Sequence, residues 1–552
     1  MSIRAAAAAL GLLFGFLTPA AARDTLVIGV AQFAPSLNPY IDPAVMKSYV
    51  LDFATRPLSV YDPDWKPVCL LCTELPTIEN GGAKFEVQAD GSKGLAVTFT
   101  LRPNLAWSDG VPVTTRDALF TWKLGSNASA GFSNNHPWDR AKRMEVIDDH
   151  TFILHLDHAV VGYNIWDHLL PEHLEAQAAQ SGVENGGYLK ATLYNRAPTT
   201  RGLYDGPYMV TDYKSGAEIV LEPNPHWAGQ KPGFKRVVIR TIENTAALEA
   251  NLLSGDIDMA PGDAPALSID QVIALQQKEP DRFTYIFKPS LNYEHIDLQT
   301  SNPILADLRV RQALLYGIDR QTLVAKLFAG KQPVAASWVN PLDSNFTAET
   351  ANYPFNQAKA KALLAQAGWN RVADGICVNA KGERLSLEID TTSGNKVREL
   401  TEQILQSQWK AACVELTIHN EPARTLFGET VKKRSYTGMA MYAWSSVVNE
   451  SPRKTLHSSQ IPNAANNWGG ANYAAVSNPK LDSDIDAAER ALDPAQRRAI
   501  WADMQRIYAD NLWILPLFFR AEPYVSPKWL KGLTPTGHGD FSPLWAEAWH
   551  GE

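Results

Sequence analysis

Ser301-Asn-Pro-Ile-Leu-Ala-Asp-Leu-Arg-Val-Arg-Gln-Ala-Leu-Leu-Tyr-Gly-Ile-Asp-Arg320 is the densest run of structural signals in the chain. Val310, Ala313, Leu314, Gly317 and Ile318 fall at i, i+3, i+4, i+7 and i+8, which is one apolar helix face, while Arg309, Arg311 and Gln312 point elsewhere. Asp319 is placed to cap a second helix whose apolar face is Leu323, Val324, Leu327 and Phe328 and whose stop is Gly330. The segment therefore predicts two short, core-facing helices.

Working outward, strands and helices alternate. Thr25-Leu-Val-Ile-Gly-Val30 reads as a buried strand, followed by a proline-punctuated loop to Pro39. Leu95, Val97, Phe99 and Leu101 alternate with polar residues as a half-buried strand does. Asp109-Gly110 supplies turn chemistry, and Thr114 with Asp117 forms a capping box for the helix carrying Ala118, Leu119 and Trp122. Tyr204-Asp-Gly-Pro-Tyr208, Ile219 to Trp227 and Val237 to Arg240 read as strands and turns, and Thr245 opens a helix ending at Ser254-Gly255. Further on, helices are expected from Gln357 to Ala367, from about Lys396 to Ala411, and after Asp493-Pro494. Leu385, Leu387 and Ile389 alternate, as do Val414, Leu416 and Ile418, and Leu515 to Phe519 reads as a late strand. Such alternation predicts an α/β fold.

A chain of 552 residues is too long for one core and implies two or three domains. With 45% hydrophobic and 20% charged residues it has a globular composition. A net charge of −8 and the lack of a long Lys/Arg run give no expectation of a nucleic-acid partner. Residues 1–22 read as a signal peptide: Arg4 is its positive region, Ala5 to Leu17 is apolar but too short to span a bilayer, and Ala20-Ala21-Ala22 suits a signal peptidase. No later segment is apolar enough to anchor the product, and the first cysteine is Cys69, far from the cleavage site. The expected location is a bacterial periplasm, where disulfides form.

Cys69 and Cys72 have the C-x-x-C spacing of a local disulfide, a redox pair or half a zinc site. Lack of a second C-x-x-C argues against zinc, and the loop context set by Pro67 and Pro76 favours a structural disulfide. Cys377 and Cys413 flank a strand–helix unit and are expected to pair, although the spacing does not fix connectivity.

Several of these segments together resemble the extracytoplasmic solute-binding proteins, family 5, of peptide-type ABC importers. The likeness runs through Arg309 to Arg320, the Phe99 to Trp122 stretch, the Tyr204 to Trp227 block, Ser254 to Asp258, and Lys361 to Trp369. It implies a bilobal, type II periplasmic-binding-protein fold of mixed sheets with a two-crossing hinge. Lobe one would span 23–292, with a subdomain at 61–204, and be completed by 515–552; lobe two would span 293–514. The implied function is capture of a small-molecule ligand, a peptide, in a closing cleft and delivery to a membrane permease, by a monomer that is not membrane-anchored and carries no cofactor. An oligosaccharide, an opine-like solute or a metal complex is the alternative cargo on the same scaffold, and a periplasmic enzyme is the alternative from another class.

The resemblance also locates candidate ligand contacts. Gln32, Phe33 and Asn38 lie in the loop after the first strand, Tyr293 stands at the lobe boundary, and Trp444, Ser445, Ser446, Val447, Asn449 and Glu450 match the segment where peptide-binding members commonly carry an Asp that grips the ligand's α-ammonium. Here Val447 stands about where that Asp is expected, and Glu450 is the nearby acid. Trp468 adds an aromatic in a second loop. His150, His155, His158, His168 and His173 invite a metal reading, but the pattern lacks H-E-x-x-H and is read as scattered surface histidines. No nucleophile elbow, phosphate loop or dinucleotide fingerprint occurs, so binding rather than catalysis is expected.

Overall fold

The computed structural model describes residues 23–552 except 42–43, 89–90, 92, 128–129, 131, 133–136 and 181–186. The proposed signal peptide thus lies outside the described residues. Three larger sheets organise the rest. The first orders the strands Thr25–Val30, Arg236–Thr241, Glu218–Pro223 and Tyr208–Lys214, with a parallel first pair and antiparallel neighbours. The second is an antiparallel sheet of Ala83–Val87, Lys93–Thr100, Thr151–Leu156 and Ala141–Val146. The third is mixed: Glu415–Glu421, Ser386–Thr392, Met439–Ser445, Phe283–Leu298 and Ile514–Pro527. This is a bilobal α/β periplasmic-binding fold with mixed sheets. Among the described residues no helix is long and apolar enough to cross a membrane.

Two strands run through both lobes. Phe283–Leu298 has 16 residues and pairs antiparallel with Ile514–Pro527 along nearly its full length. The register slips between the pairs Pro289–Ala521 and Tyr293–Phe519, and again between Glu294 and His295. Such bulges bend a strand and break its ladder. On one side of the slip, Phe283 and Val525 pack in a cluster with Leu248, Leu252 and Leu275; on the other, Ile296, Leu298, Leu515 and Leu517 join the core of the second lobe. The crossing is fixed by charge as well: Glu294 accepts from Arg398 Nε at 2.6 Å and from Arg520 at 2.8 Å. Burial alone would raise its carboxyl, but the two arginines outweigh burial and hold it below the ordinary range.

The Ser301–Arg320 stretch forms the expected pair of helices, Leu308–Tyr316 and Arg320–Phe328. Asp319 Oδ1 accepts from the Thr322 N–H at 2.9 Å, and the second helix ends at Phe328, where Ala329 already takes the left-handed conformation ahead of Gly330. Arg311 does not reach solvent. It is 7% exposed and donates to the carbonyls of Leu305, Ala306 and Asn511. Arg320 likewise donates to the carbonyls of Ala335 and of Pro516 on the long return strand. The capping box at Thr114 and Asp117, and the helix Lys396–Ala411, form as the sequence predicts.

Both cysteine pairs are disulfides, Cys69–Cys72 and Cys377–Cys413. The first lies beside a short ribbon rather than in a plain loop, since Pro67–Cys69 pairs with Ser59–Tyr61. Gly206 is required by a close approach: a Cβ there would sit 2.6 Å from the Ala54 carbonyl carbon, and its N–H donates to the Ala54 carbonyl at 2.8 Å.

Candidate functional site: a cavity between the lobes

A cavity of about 960 Å³ lies where the two lobes meet. Its first-lobe wall comes from Pro57 to Tyr61, from Leu156 to His168, and from Asp52 and Asp540; its second-lobe wall comes from Val447 to Ser451, Arg453, Lys454 and Ala488 to Arg490. The lobes touch across it. Val161 donates its backbone N–H to the Glu489 carbonyl at 3.1 Å, and Asn449 Nδ2 reaches the Tyr61 hydroxyl at 3.5 Å. Beside that contact, Val448 packs with Tyr61, Trp65 and Leu291 in one small apolar cluster against Ile165.

The second-lobe wall is built by the end of the strand Met439–Ser445. That strand pairs with Phe283–Leu298, so the chain leaving it at Ser446 stays tied to the hinge through the Leu291 carbonyl. Asn449 adopts a left-handed conformation, and its Oδ1 accepts from Asn345 Nδ2 at 2.7 Å, which turns the chain back into the helix Arg453–Leu456. Val447 is 59% exposed toward the cavity and Glu450 pairs with Lys454 at 3.2 Å. Arg453 is spoken for by Glu489 at 2.7 Å and by Asp486. No unpaired carboxylate stands on this wall among the described residues.

Acidity is concentrated on the opposite wall. Asp52 is 4% exposed and accepts from the Phe541 N–H, and Asp540 accepts from the Tyr61 N–H at 3.0 Å. Burial, then the charge of Asp540, push the Asp52 carboxyl well above the ordinary range. Burial also raises Asp540, with Asp167 adding to it and His538 opposing. Burial acts on Asp167 too, but its contact with His168 outweighs that and holds it low. Two buried carboxyls, both raised, mark a place where a cation would be welcome.

The sequence-predicted contacts divide. Val447, Asn449 and Glu450 line the cavity. Trp444 stacks on Tyr473 with ring centroids 5.6 Å apart, Ser445 is exposed, and Ser446 is tied to Leu291; none of the three lines the cavity. Tyr293 is 3% exposed and its hydroxyl is shared with that of Tyr508, so it packs the hinge. Asn38 is fully buried, donating to Tyr188 and Thr192 and accepting from the Tyr40 N–H. Phe33 packs edge-on against Tyr213, Gln32 is exposed, and Trp468 sits in a turn closed by Asn463. His155 is not a surface residue: it is 8% exposed and its Nδ1 lies 2.8 Å from a Glu86 oxygen, a partner that the adjacent strand pairs supply. His158 and His168 line the cavity. The first-lobe wall receives no ligand contact from the sequence, which reads its histidines as scattered surface residues.

Fold and inter-lobe cavity together are those of a solute-binding protein. The description "Bacterial extracellular solute-binding proteins, family 5 Middle" matches residues 84–467, and the chain belongs to that family. Among curated proteins it is 25% identical to Protein XP55 of Streptomyces lividans over 88% of this chain and 81% of the relative, and 24% identical to the oligopeptide-binding protein AppA of Bacillus subtilis over 80% and 78%. The crystal structure of the oligopeptide-binding protein of Thermus thermophilus complexed with a pentapeptide aligns with a TM-score of 0.69 at 29% identity, covering 96% of each chain. The chain is therefore an extracytoplasmic solute-binding component of ABC transport, and not an enzyme.

Proposed function

We propose that this protein captures a short peptide in the inter-lobe cavity and delivers it to a membrane permease. The observation that carries the reading is the cavity itself. At about 960 Å³ it lies at the upper end of ordinary ligand sites, roughly 300–1,000 Å³. Its walls carry ionisable groups of both kinds, the carboxyls of Asp52 and Asp540 on one side and Arg140, Lys142 and Lys454 elsewhere. A zwitterionic peptide, whose ammonium favours the ionised form of the buried carboxyls, matches that distribution better than a neutral sugar. The ligand's ammonium sits against Asp52 and Asp540, in place of the acid missing at Val447. The relatives named as oligopeptide-binding support the cargo class.

The same reading includes export of the chain with cleavage after Ala22, action as a monomer, and lobe boundaries at about 292 and 515. Thermal-shift screening of the mature protein against a peptide panel and an oligosaccharide panel tests the cargo. Peptides of a few residues should raise the melting temperature; a shift with sugars and none with peptides overturns the proposal.

A further inference from the structure

The second lobe carries a polar constellation outside the cavity. Strands Ser386–Thr392 and Glu415–Glu421 pair in parallel with Asp390 opposite His419. One face of this pair carries Leu387, Ile389, Leu416 and Ile418 and packs into the lobe core. Alternation sends Glu388, Asp390, His419 and Glu421 to the other face. One potential ligand atom each from Glu388, Asp390 and His419 lies within 4.8 Å of the others, and His419 Nδ1 is 2.7 Å from Asp390 Oδ1.

A second observation separates this group from an ordinary acidic surface. Asp390 is 2% exposed, and its other oxygen, Oδ2, is buried without a hydrogen-bond partner among the described residues. A carboxylate oxygen can only accept, so leaving it dry is costly unless a proton donor or a cation reaches it. The surrounding carboxylates are already oriented, Glu388 by the Thr437 hydroxyl at 2.9 Å and Glu421 by the Thr430 hydroxyl at 2.6 Å. His419, with its side chain 53% exposed, opens the group to solvent.

We propose that Glu388, Asp390 and His419 bind a divalent transition-metal ion of the zinc or nickel class. Two carboxylate oxygens and one imidazole nitrogen are the donor set such ions accept, and three protein ligands leave room for water. Glu415–Glu421 is the edge strand of its sheet, so the ion clips that edge to its neighbour. None of the three residues lines the inter-lobe cavity, so the site is independent of the peptide reading.

Isothermal titration of the chelator-treated full chain with zinc chloride, without peptide, tests this. The wild type should bind one equivalent, His419→Ala should weaken binding at least roughly tenfold, and His158→Ala, a change in the cavity wall, should leave it unaltered. His419 is exposed enough for its variant to fold, which circular dichroism verifies, and Asp390→Asn serves as a second variant. No saturable binding by the wild type, or binding that survives both His419→Ala and Asp390→Asn unweakened, overturns the proposal.

Discussion

The backbone N–H of Val161, in the first lobe, donates to the carbonyl oxygen of Glu489, in the second, at 3.1 Å across the cavity. Beside it Val448 is 5% exposed against Tyr61, Trp65 and Leu291. That apolar contact joins Val448 of the second lobe to Tyr61 and Trp65 of the first, so it is expected to favour the closed form. Val448→Ala removes two carbons from it, a loss of about 1.5 kcal/mol. Ligand affinity measured by calorimetry should fall roughly tenfold, while the melting temperature without ligand changes little. An unchanged affinity would show that the contact does not contribute to closure.

Asp540→Asn tests where a peptide's ammonium is held. The amide keeps the acceptor for the Tyr61 N–H but removes the charge. A peptide with a free amino terminus should bind about tenfold more weakly, as expected for losing a charged hydrogen bond. Its N-acetylated analogue should bind wild type and variant alike. Equal losses for both peptides would place the ammonium elsewhere.

Much of the fold was legible in the sequence, because helices such as Lys396–Ala411 and strands such as Thr25–Val30 declare themselves by local period and caps. The site was less so. Val447, Asn449 and Glu450 could be located by their segment, but Asp52 and Asp540 are 488 residues apart and meet only through tertiary packing. Asn38 and Tyr293 illustrate the same point: a polar residue in a promising segment gives no local sign of the partner, Tyr188 or Tyr508, that the fold brings to it. Arg311 could be placed only off the apolar helix face; the Asn511 carbonyl, brought from far along the chain, is what holds it buried.

Burial, only partly offset by the Arg56 N–H, pushes the Asp205 carboxyl from its ordinary 3.8 to about 6. The folded state therefore binds this proton more tightly than the unfolded one. Its contribution is most favourable below pH 3.8 and is lost as pH rises to about 6, with no further change above. The amplitude is on the order of 3 kcal/mol. Asp205→Asn lacks this loss, so its stability relative to wild type, from urea unfolding, should climb between pH 4 and pH 6 and then level off. Parallel stability curves would contradict the assignment.

The Cys377–Cys413 bridge closes a span of 36 residues in the second lobe. Loop-closure entropy assigns such a link about 4 kcal/mol. Replacing both cysteines by serine should lower the unfolding free energy by that order, whereas the Cys69–Cys72 link, with a separation of 3, should matter less. Equal effects of the two removals would argue against the entropic account.

The central claim is that the inter-lobe cavity holds a peptide. Native mass spectrometry of the mature protein, purified without denaturation from the compartment where it works, reads the cargo directly. The account predicts one intact short peptide per chain, released on unfolding and diminished in Asp540→Asn. A sugar or a metal complex as the bound species would contradict it.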